Sequence, residues 1–297
     1  SKVRIPVINS NANISHLAKT VIQQCKYIPE KRLIEVEGVI RQLQCRQNLF
    51  SKDEQSALEL EENAHKGTGC LTPSIEDIDD YMELIYGEGS DLELDSKIKG
   101  TEMIMKLCHK TENLEILIQN RVLISALSRI LSEEFHRSVE LTFNISRIFF
   151  AFSCFVEMHP TLSSYRVGLS AMNILDLAIG RRKACSDHDS SNNERGNVAS
   201  CQRHDYVIYV ALQLLINLAE DPAAERKMVK KNLLPLLLQC INLPSKACAM
   251  VSLAFLQKLS VFEENVHFLG DPQTKLTLLL TPLLSHECDE IAAASAG

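Results

Sequence analysis

The sequence predicts an all-α fold: an armadillo- or HEAT-like superhelix of helical repeats, preceded by a short helical N-terminal segment. The first observation is a repeated helical phrase, because residues 210–221 and 250–262 align so that Leu218 falls on Leu259, 41 residues later. The second is an apolar segment between the two copies, at residues 231–241. Two or three short helices that recur at a spacing near 40 residues are typical of armadillo and HEAT repeats. Such stacks offer long surfaces for binding other proteins.

The composition fits a stack of helices and argues against several other classes. Hydrophobic residues make up 45% of the 297 positions, whereas aromatic residues are scarce and Trp is absent. The formal net charge of −7 argues against nucleic acid as the main ligand, which a basic patch would have to neutralise. No apolar run approaches the roughly 20 residues of a membrane-spanning helix, and residues 1–5 lack the apolar stretch of a secretory signal.

The ten cysteines fit a reducing compartment better than a disulfide framework, because the chain is far longer than disulfide-stapled scaffolds. A free cysteine inside a helical pattern behaves as a small apolar residue. Five of the ten lie in apolar helical patterns: Cys25, Cys108, Cys154, Cys240 and Cys248.

Hydrophobic periodicity divides the chain into three zones. Residues 1–46 form a helical segment, with apolar stripes on either side of Pro29. Residues 47–74 are polar and contain Gly67, Gly69 and Pro73, so we expect a linker. Residues 75–297 carry the repeat pattern.

The spacing of the inner helices reveals one insertion. Leu107 aligns with Phe150 at a spacing of 43 residues, but Phe150 and Leu218 are 68 residues apart. The surplus coincides with the polar residues at about 181–204, which we interpret as a surface insertion that forms a flexible polar loop.

The same insertion contains four possible zinc ligands, Cys185, His188, Cys201 and His204, in two Cys-x2-His pairs. Two ligand pairs on a loop can provide tetrahedral thiolate and imidazole donors. This spacing is less specific than that of established zinc motifs, so we favour a flexible insertion and predict no metal or cofactor. No catalytic triad, phosphate-binding loop or dinucleotide fingerprint is present, so we expect no enzymatic activity.

Three surface features are candidates for partner contact. Asn217 lies where armadillo inner helices often place an asparagine that binds a peptide backbone, but Lys258 and Phe149 occupy the equivalent positions, so a regular asparagine ladder is absent. An acidic stretch at residues 76–95 and a basic patch at residues 226–231 could attract charged partners. The partner-contact candidates are Asn144, Arg147, Gln213, Asn217 and Lys258.

Several blocks of the sequence resemble the kinesin-associated protein family, the non-motor subunits of heterotrimeric kinesin. The resemblance begins in DYMELIY (80–86) and KGTEMIMKL (99–107). It continues, in the same order, through residues 113–118, 138–145, 148–150, 217–221 and 258–262, and it includes residues 11–13 and 33–37 near the N-terminus.

This resemblance implies a non-catalytic adaptor that binds the C-terminal tails of two kinesin motor chains and links cargo to them. It implies a cytoplasmic, microtubule-associated protein with a role in microtubule-based transport, including transport in cilia. The chain is shorter than is usual for the family, so we expect a truncated or divergent member. The alternative is a generic armadillo-type scaffold unrelated to kinesin.

Overall fold

The computed structural model describes residues 13–25, 28–33, 36–37, 40, 73–86, 91–187, 194–274 and 276–296. The chain divides into two compact units, Ser1–Leu71 and Thr72–Gly297. The predicted linker at residues 47–74 lies almost wholly outside the described residues.

The first unit contains helix α1, Ile14–Gln24, which begins where the Asn13 side chain accepts a hydrogen bond from the His16 amide at 3.1 Å. Ala18 of this helix and Ile40 are fully buried. They pack with apolar side chains of both predicted stripes, Ile14, Leu17, Val21, Leu33 and Val36. The described part of the predicted N-terminal segment is therefore a small helical core.

The second unit is built of helices, and no strand occurs among its described residues. The helices before residue 190 are α2 (Ile78–Tyr86), α3 (Asp91–Leu107), α4 (Thr111–Gln119), α5 (Arg121–Glu133), α6 (Val139–Ser153), α7 (His159–Ser164) and α8 (Val167–Asp187). Those after it are α9 (Glu194–Leu218), α10 (Pro222–Lys230), α11 (Leu233–Ile241), α12 (Lys246–Leu259), α13 (Glu263–Gly270), α14 (Leu276–Leu280) and α15 (Asp289–Ala296).

These helices stack as three-helix repeats. Helices α4–α6, α7–α9 and α10–α12 are repeats in which the second helix packs against the third, while α2 and α3 form the pair that precedes them. The third helices contact one another in an unbroken series, α3 with α6, α6 with α9, α9 with α12, and α12 with α15. We call this series the third-helix row. The prediction of an all-α, armadillo-like superhelix is confirmed.

Side-chain caps set the starts of the repeat helices. Ser138 and Ser245 accept hydrogen bonds from the first turns of α6 and α12, at 3.2 and 3.4 Å. Asn120 does the same for α5 at 3.0 Å, and Asp221 for α10 at 2.9 Å. Each cap satisfies an amide that has no partner inside its helix, so the polar residues between apolar runs fix the helix boundaries.

The core lies between the helices of successive repeats. Leu218 and Leu259, the aligned residues of the repeated phrase, are both buried, at 3% and 0% exposure. In α6, the rings of Phe149 and Phe152 are fully buried and meet edge to face with centroids 6.2 Å apart. Equivalent sequence positions thus fill equivalent places in the stack, as the 41-residue spacing predicts.

The prediction of a polar loop at residues 181–204 is wrong for most of that segment. Helix α8 extends to Asp187, and α9 begins at Glu194. Arg182 of α8 forms an ion pair with Asp205 of α9 at 2.8 Å, and Lys183 donates a hydrogen bond to Gln239 at 2.7 Å. The polar residues extend α8 and α9 instead of forming a loop, because side chains such as Arg182 and Lys183 find partners on the helices packed against α8. His188 lies outside the described residues.

Within the described segments, no single helix is long and apolar enough to cross a membrane. Residues 139–153 and 156–164 reach that length only together, and they meet at an angle of 114°.

Candidate partner-binding surface

The third-helix row brings the five predicted contact residues onto neighbouring helices. Asn144 and Arg147 lie on α6, Gln213 and Asn217 on α9, and Lys258 on α12. Helices α6 and α9 run parallel, since Phe143 contacts Tyr206 and, further along both helices, Ser153 contacts Asn217. Helices α3 and α6 are parallel in the same way, through Thr101 with Asn144 and His109 with Arg147.

Two of the five residues are buried inside the stack. Asn144 is 5% exposed, and its amide donates to the Ile98 carbonyl at 3.4 Å and to the Thr101 hydroxyl at 3.5 Å. Gln213 is 3% exposed and donates to the Tyr209 hydroxyl at 3.2 Å. The Asn144 amide joins α6 to α3, whereas the Gln213 amide bonds within α9, and the burial of both side chains gives no support to a direct role in partner contact.

Asn217 is half-buried and joins two repeats. Its amide donates to the Ser153 hydroxyl at 3.0 Å, and that hydroxyl donates in turn to the Phe150 carbonyl at 2.7 Å. The Cys154 sulfur lies 3.9 Å from the same amide nitrogen. Asn217 thus joins α9 to α6 through its side-chain amide.

Arg147 is half-buried and joins a polar and aromatic group. Its guanidinium carbon lies 5.5 Å from the centroid of the Phe143 ring, and the centroid of that ring lies 6.4 Å from that of Tyr206 of α9. Its Nη2 lies 3.3 Å from Nε2 of His109. Because arginine can only donate, this contact requires that His109 Nε2 be an acceptor, that is, a neutral imidazole. A cation beside aromatic faces can bind carboxylates and aromatic side chains of a partner.

Lys258 occupies the position equivalent to Asn217 and faces a buried carboxyl group. Glu225 of α10 is only 4% exposed, and burial raises its pKa, while the charges of Lys258 and Arg226 act in the opposite direction. Lys258 therefore stabilises the ionised form of Glu225 while remaining half-exposed.

The possible zinc ligands do not form a metal site in the described part of the chain. No group of three or more His, Cys, Asp or Glu side chains there is arranged to hold a metal ion. Cys185 lies 3.8 Å from the Ser200 hydroxyl, and His204 Nδ1 contacts the Ser200 carbonyl at 2.8 Å. These side chains belong to the contact between α8 and α9.

The partly exposed side chains of the row are thus cations, aromatic rings and an amide: Arg147, Lys258, Phe143, Tyr206, Tyr209 and Asn217. Sequence spacing identified Arg147, Asn217 and Lys258 on this row, but the predicted contact residues did not include Phe143, Tyr206 and Tyr209. Phe143 belongs to a dense group of phenylalanines in α6, in a chain otherwise poor in aromatic residues, which the sequence favours as core packing between repeats.

Comparison with known proteins gives two structural likenesses and one family. A designed armadillo repeat protein is similar to the chain at 14% identity, with 74% of this chain and 97% of that chain covered and a TM-score of 0.43. A computationally designed armadillo repeat protein for modular peptide recognition is similar at 14% identity, the same coverage and a TM-score of 0.44. The profile of the kinesin-associated protein (KAP) family matches residues 1–287. The chain belongs to the kinesin-associated protein family.

Proposed function

We propose that this chain is a non-catalytic adaptor subunit of a heterotrimeric kinesin, which binds the C-terminal tails of the motor chains and links cargo to them. The observation that carries this proposal is the family match over residues 1–287, which includes most of the third-helix row. A repeat stack suits the role because it presents an extended surface on a scaffold held by contacts between neighbouring repeats.

The third-helix row is the surface we assign to the motor tails. Its half-exposed side chains include the cations Arg147 and Lys258 and the aromatic residues Phe143, Tyr206 and Tyr209. Aromatic and arginine side chains are enriched among the residues that contribute most to protein–protein affinity. The buried amide of Asn144 joins α6 to α3, and that of Gln213 bonds to the hydroxyl of Tyr209 within α9.

Attachment to a motor determines where the protein acts. We place it in the cytoplasm on microtubules, with ciliary transport as one of its settings. The proposed mechanism needs no cofactor, metal or small-molecule substrate.

A pull-down with the purified C-terminal tails of heterotrimeric kinesin tests the proposal. We expect the chain to retain the tails, and we expect Arg147→Gln combined with Lys258→Gln to weaken retention at least tenfold. Arg129→Gln is the matched control, because Arg129 is an exposed cation on the second helix α5. Circular dichroism shows whether each variant is folded. A folded wild-type chain that retains neither tail would refute the motor assignment and leave the generic armadillo scaffold.

A further inference from the structure

A second surface lies between the repeats α7–α9 and α10–α12, and none of the five candidate residues of the row lines it. One cavity of about 480 Å³ opens between α7, α8 and α10, and another of about 480 Å³ opens between α8 and α11. The two cavities share the lining residues Leu169, Met172 and Lys231. We call this continuous depression the repeat groove.

The floor of the repeat groove is apolar. Met172, Leu218 and Met228 are buried beneath it, and Leu169 is 39% exposed within it. Gly168 keeps the floor open, because a Cβ at this position would lie 3.3 Å from the terminal carbon of Met228. An apolar depression of this size fits the side chains of an apolar anchor.

The rim of the first cavity is strongly basic. Arg166, Lys227, Lys230 and Lys231 all line it, and all four side chains are exposed. None of the four forms an ion pair with another described residue, whereas Asp221 is the one carboxylate on this rim in the described structure. In a chain of net charge −7 this is a local reversal of sign.

We propose that the repeat groove binds an acidic amphipathic helix of a partner protein, at a site separate from the motor-tail surface. Apolar residues at spacings of three and four on one face of such a helix would lie on Leu169, Met172 and Met228. Carboxylates flanking that face would meet the lysines and arginine of the rim. A helix matches both requirements at once, because the apolar floor and the charged rim lie side by side in the first cavity, which the second cavity extends beyond Leu169, Met172 and Lys231.

Binding of labelled helical peptides to the purified chain tests this site. The probes are three fluorescein-labelled peptides with an identical leucine stripe, flanked by Glu, by Gln or by Lys, measured by fluorescence anisotropy. We expect the Glu peptide to bind at least tenfold more tightly than the Gln peptide, and the Lys peptide to bind most weakly. The affinity of the Glu peptide is expected to fall as the salt concentration rises, since the charged rim is exposed.

Variants of the groove separate binding from stability. Lys227→Glu combined with Lys231→Glu is expected to lower the affinity for the Glu peptide at least tenfold and to raise the affinity for the Lys peptide. Arg166→Gly removes one rim cation at a residue whose φ is +58°, a conformation that glycine adopts without strain. This variant is therefore expected to bind the Glu peptide less well while its Tm stays the same or rises. Leu169→Asp should lower the affinity for all three peptides. Arg129→Glu, which lies outside the groove, should lower none of the three affinities.

Two outcomes would overturn the proposal. One is equal affinity for the three peptides, or binding that the rim substitutions leave unchanged. The other is rim-dependent binding to vesicles containing phosphatidylserine without binding to the Glu peptide, which would assign the rim to a membrane surface. These peptide assays contain no motor tails, so a negative result here leaves the motor pull-down to be judged independently.

Discussion

The close contact between α2 and α3 depends on Gly100. A Cβ built on Gly100 would lie 2.8 Å from the Tyr81 carbonyl oxygen, 3.0 Å from Leu84 Cβ and 3.2 Å from Ile85 Cγ1. The first of these atoms is backbone, so the helices must separate before a methyl group fits. Overpacking of this kind costs about 1–3 kcal/mol, whereas alanine gains about 1 kcal/mol over glycine inside a helix. Gly180 of α8 is the matched control, because apart from its chain neighbours and the surrounding backbone of its own helix, no described atom lies within 4 Å of the place that a methyl group would take there.

We therefore expect Gly180→Ala to stabilise the chain and Gly100→Ala to be less stable than Gly180→Ala by about 1–3 kcal/mol. Both substitutions carry the same gain in helix propensity, so their difference isolates the packing cost. Urea unfolding followed by far-ultraviolet circular dichroism measures the two free energies. Hydrogen exchange should show faster exchange in α2 and α3 for Gly100→Ala alone. Equal stabilisation by both substitutions would refute the close-packing argument.

Three further predictions concern buried polar groups. Burial lowers the pKa of His204, so on acidification the unfolded chain takes up the proton before the folded chain does. The free energy of unfolding should therefore fall as the pH drops from about 7 through the ordinary histidine pKa near 6.5. His204→Gln should flatten this pH dependence in urea titrations, and an unchanged slope would contradict the prediction. Asp205→Ala removes the mostly buried ion pair with Arg182 and should destabilise the fold by about 3 kcal/mol, whereas replacing both residues with apolar ones should cost less, as thermal unfolding can show. Burial raises the pKa of the Cys108 thiol to about 12, so iodoacetamide at pH 8 should label the exposed Cys154 well before Cys108 in peptide mapping, and equal rates would be inconsistent with the packing.

The repeat architecture could be predicted because its signal is local. Each helix carries its own apolar stripe, and the equivalence of Leu218 and Leu259 follows from a constant spacing along the chain. Their burial needs only that successive repeats stack in the same way. The row that carries the candidate site could be identified for the same reason.

Exposure within that row could not be predicted. Asn144 and Arg147 are three residues apart on one helix, yet the first is buried against α3 and the second is half-exposed. Which of them faces the neighbouring helix depends on how α3 and α6 pack, and helical periodicity in α6 alone does not specify that. The same limit applies to Gln213 and Asn217.

The repeat groove could not be predicted from the sequence for another reason. Its lining comes from residues 159–176 and 218–239, which touch only because one repeat stacks on the next. The sequence showed the basic patch at residues 226–231, which includes Met228, but the rest of the apolar floor comes from Leu169 and Met172 of α8 and from Leu218. A charge cluster becomes a candidate docking site only when such a floor lies beside it.

The placement of polar side chains gives the two surfaces different roles. On the third-helix row, Asn144 and Asn217 hydrogen-bond across to the preceding repeat, and Lys97 of α3 is buried in ion pairs with Glu93 and Glu134. These contacts fix one repeat to the next, so a partner on the row meets helices that are already positioned. On the groove, the rim cations form no ion pairs with the described residues, so their charge is available to a partner. If motor tails bind the row and a second protein binds the groove, as proposed, neither contact has to disturb the helices that support the other.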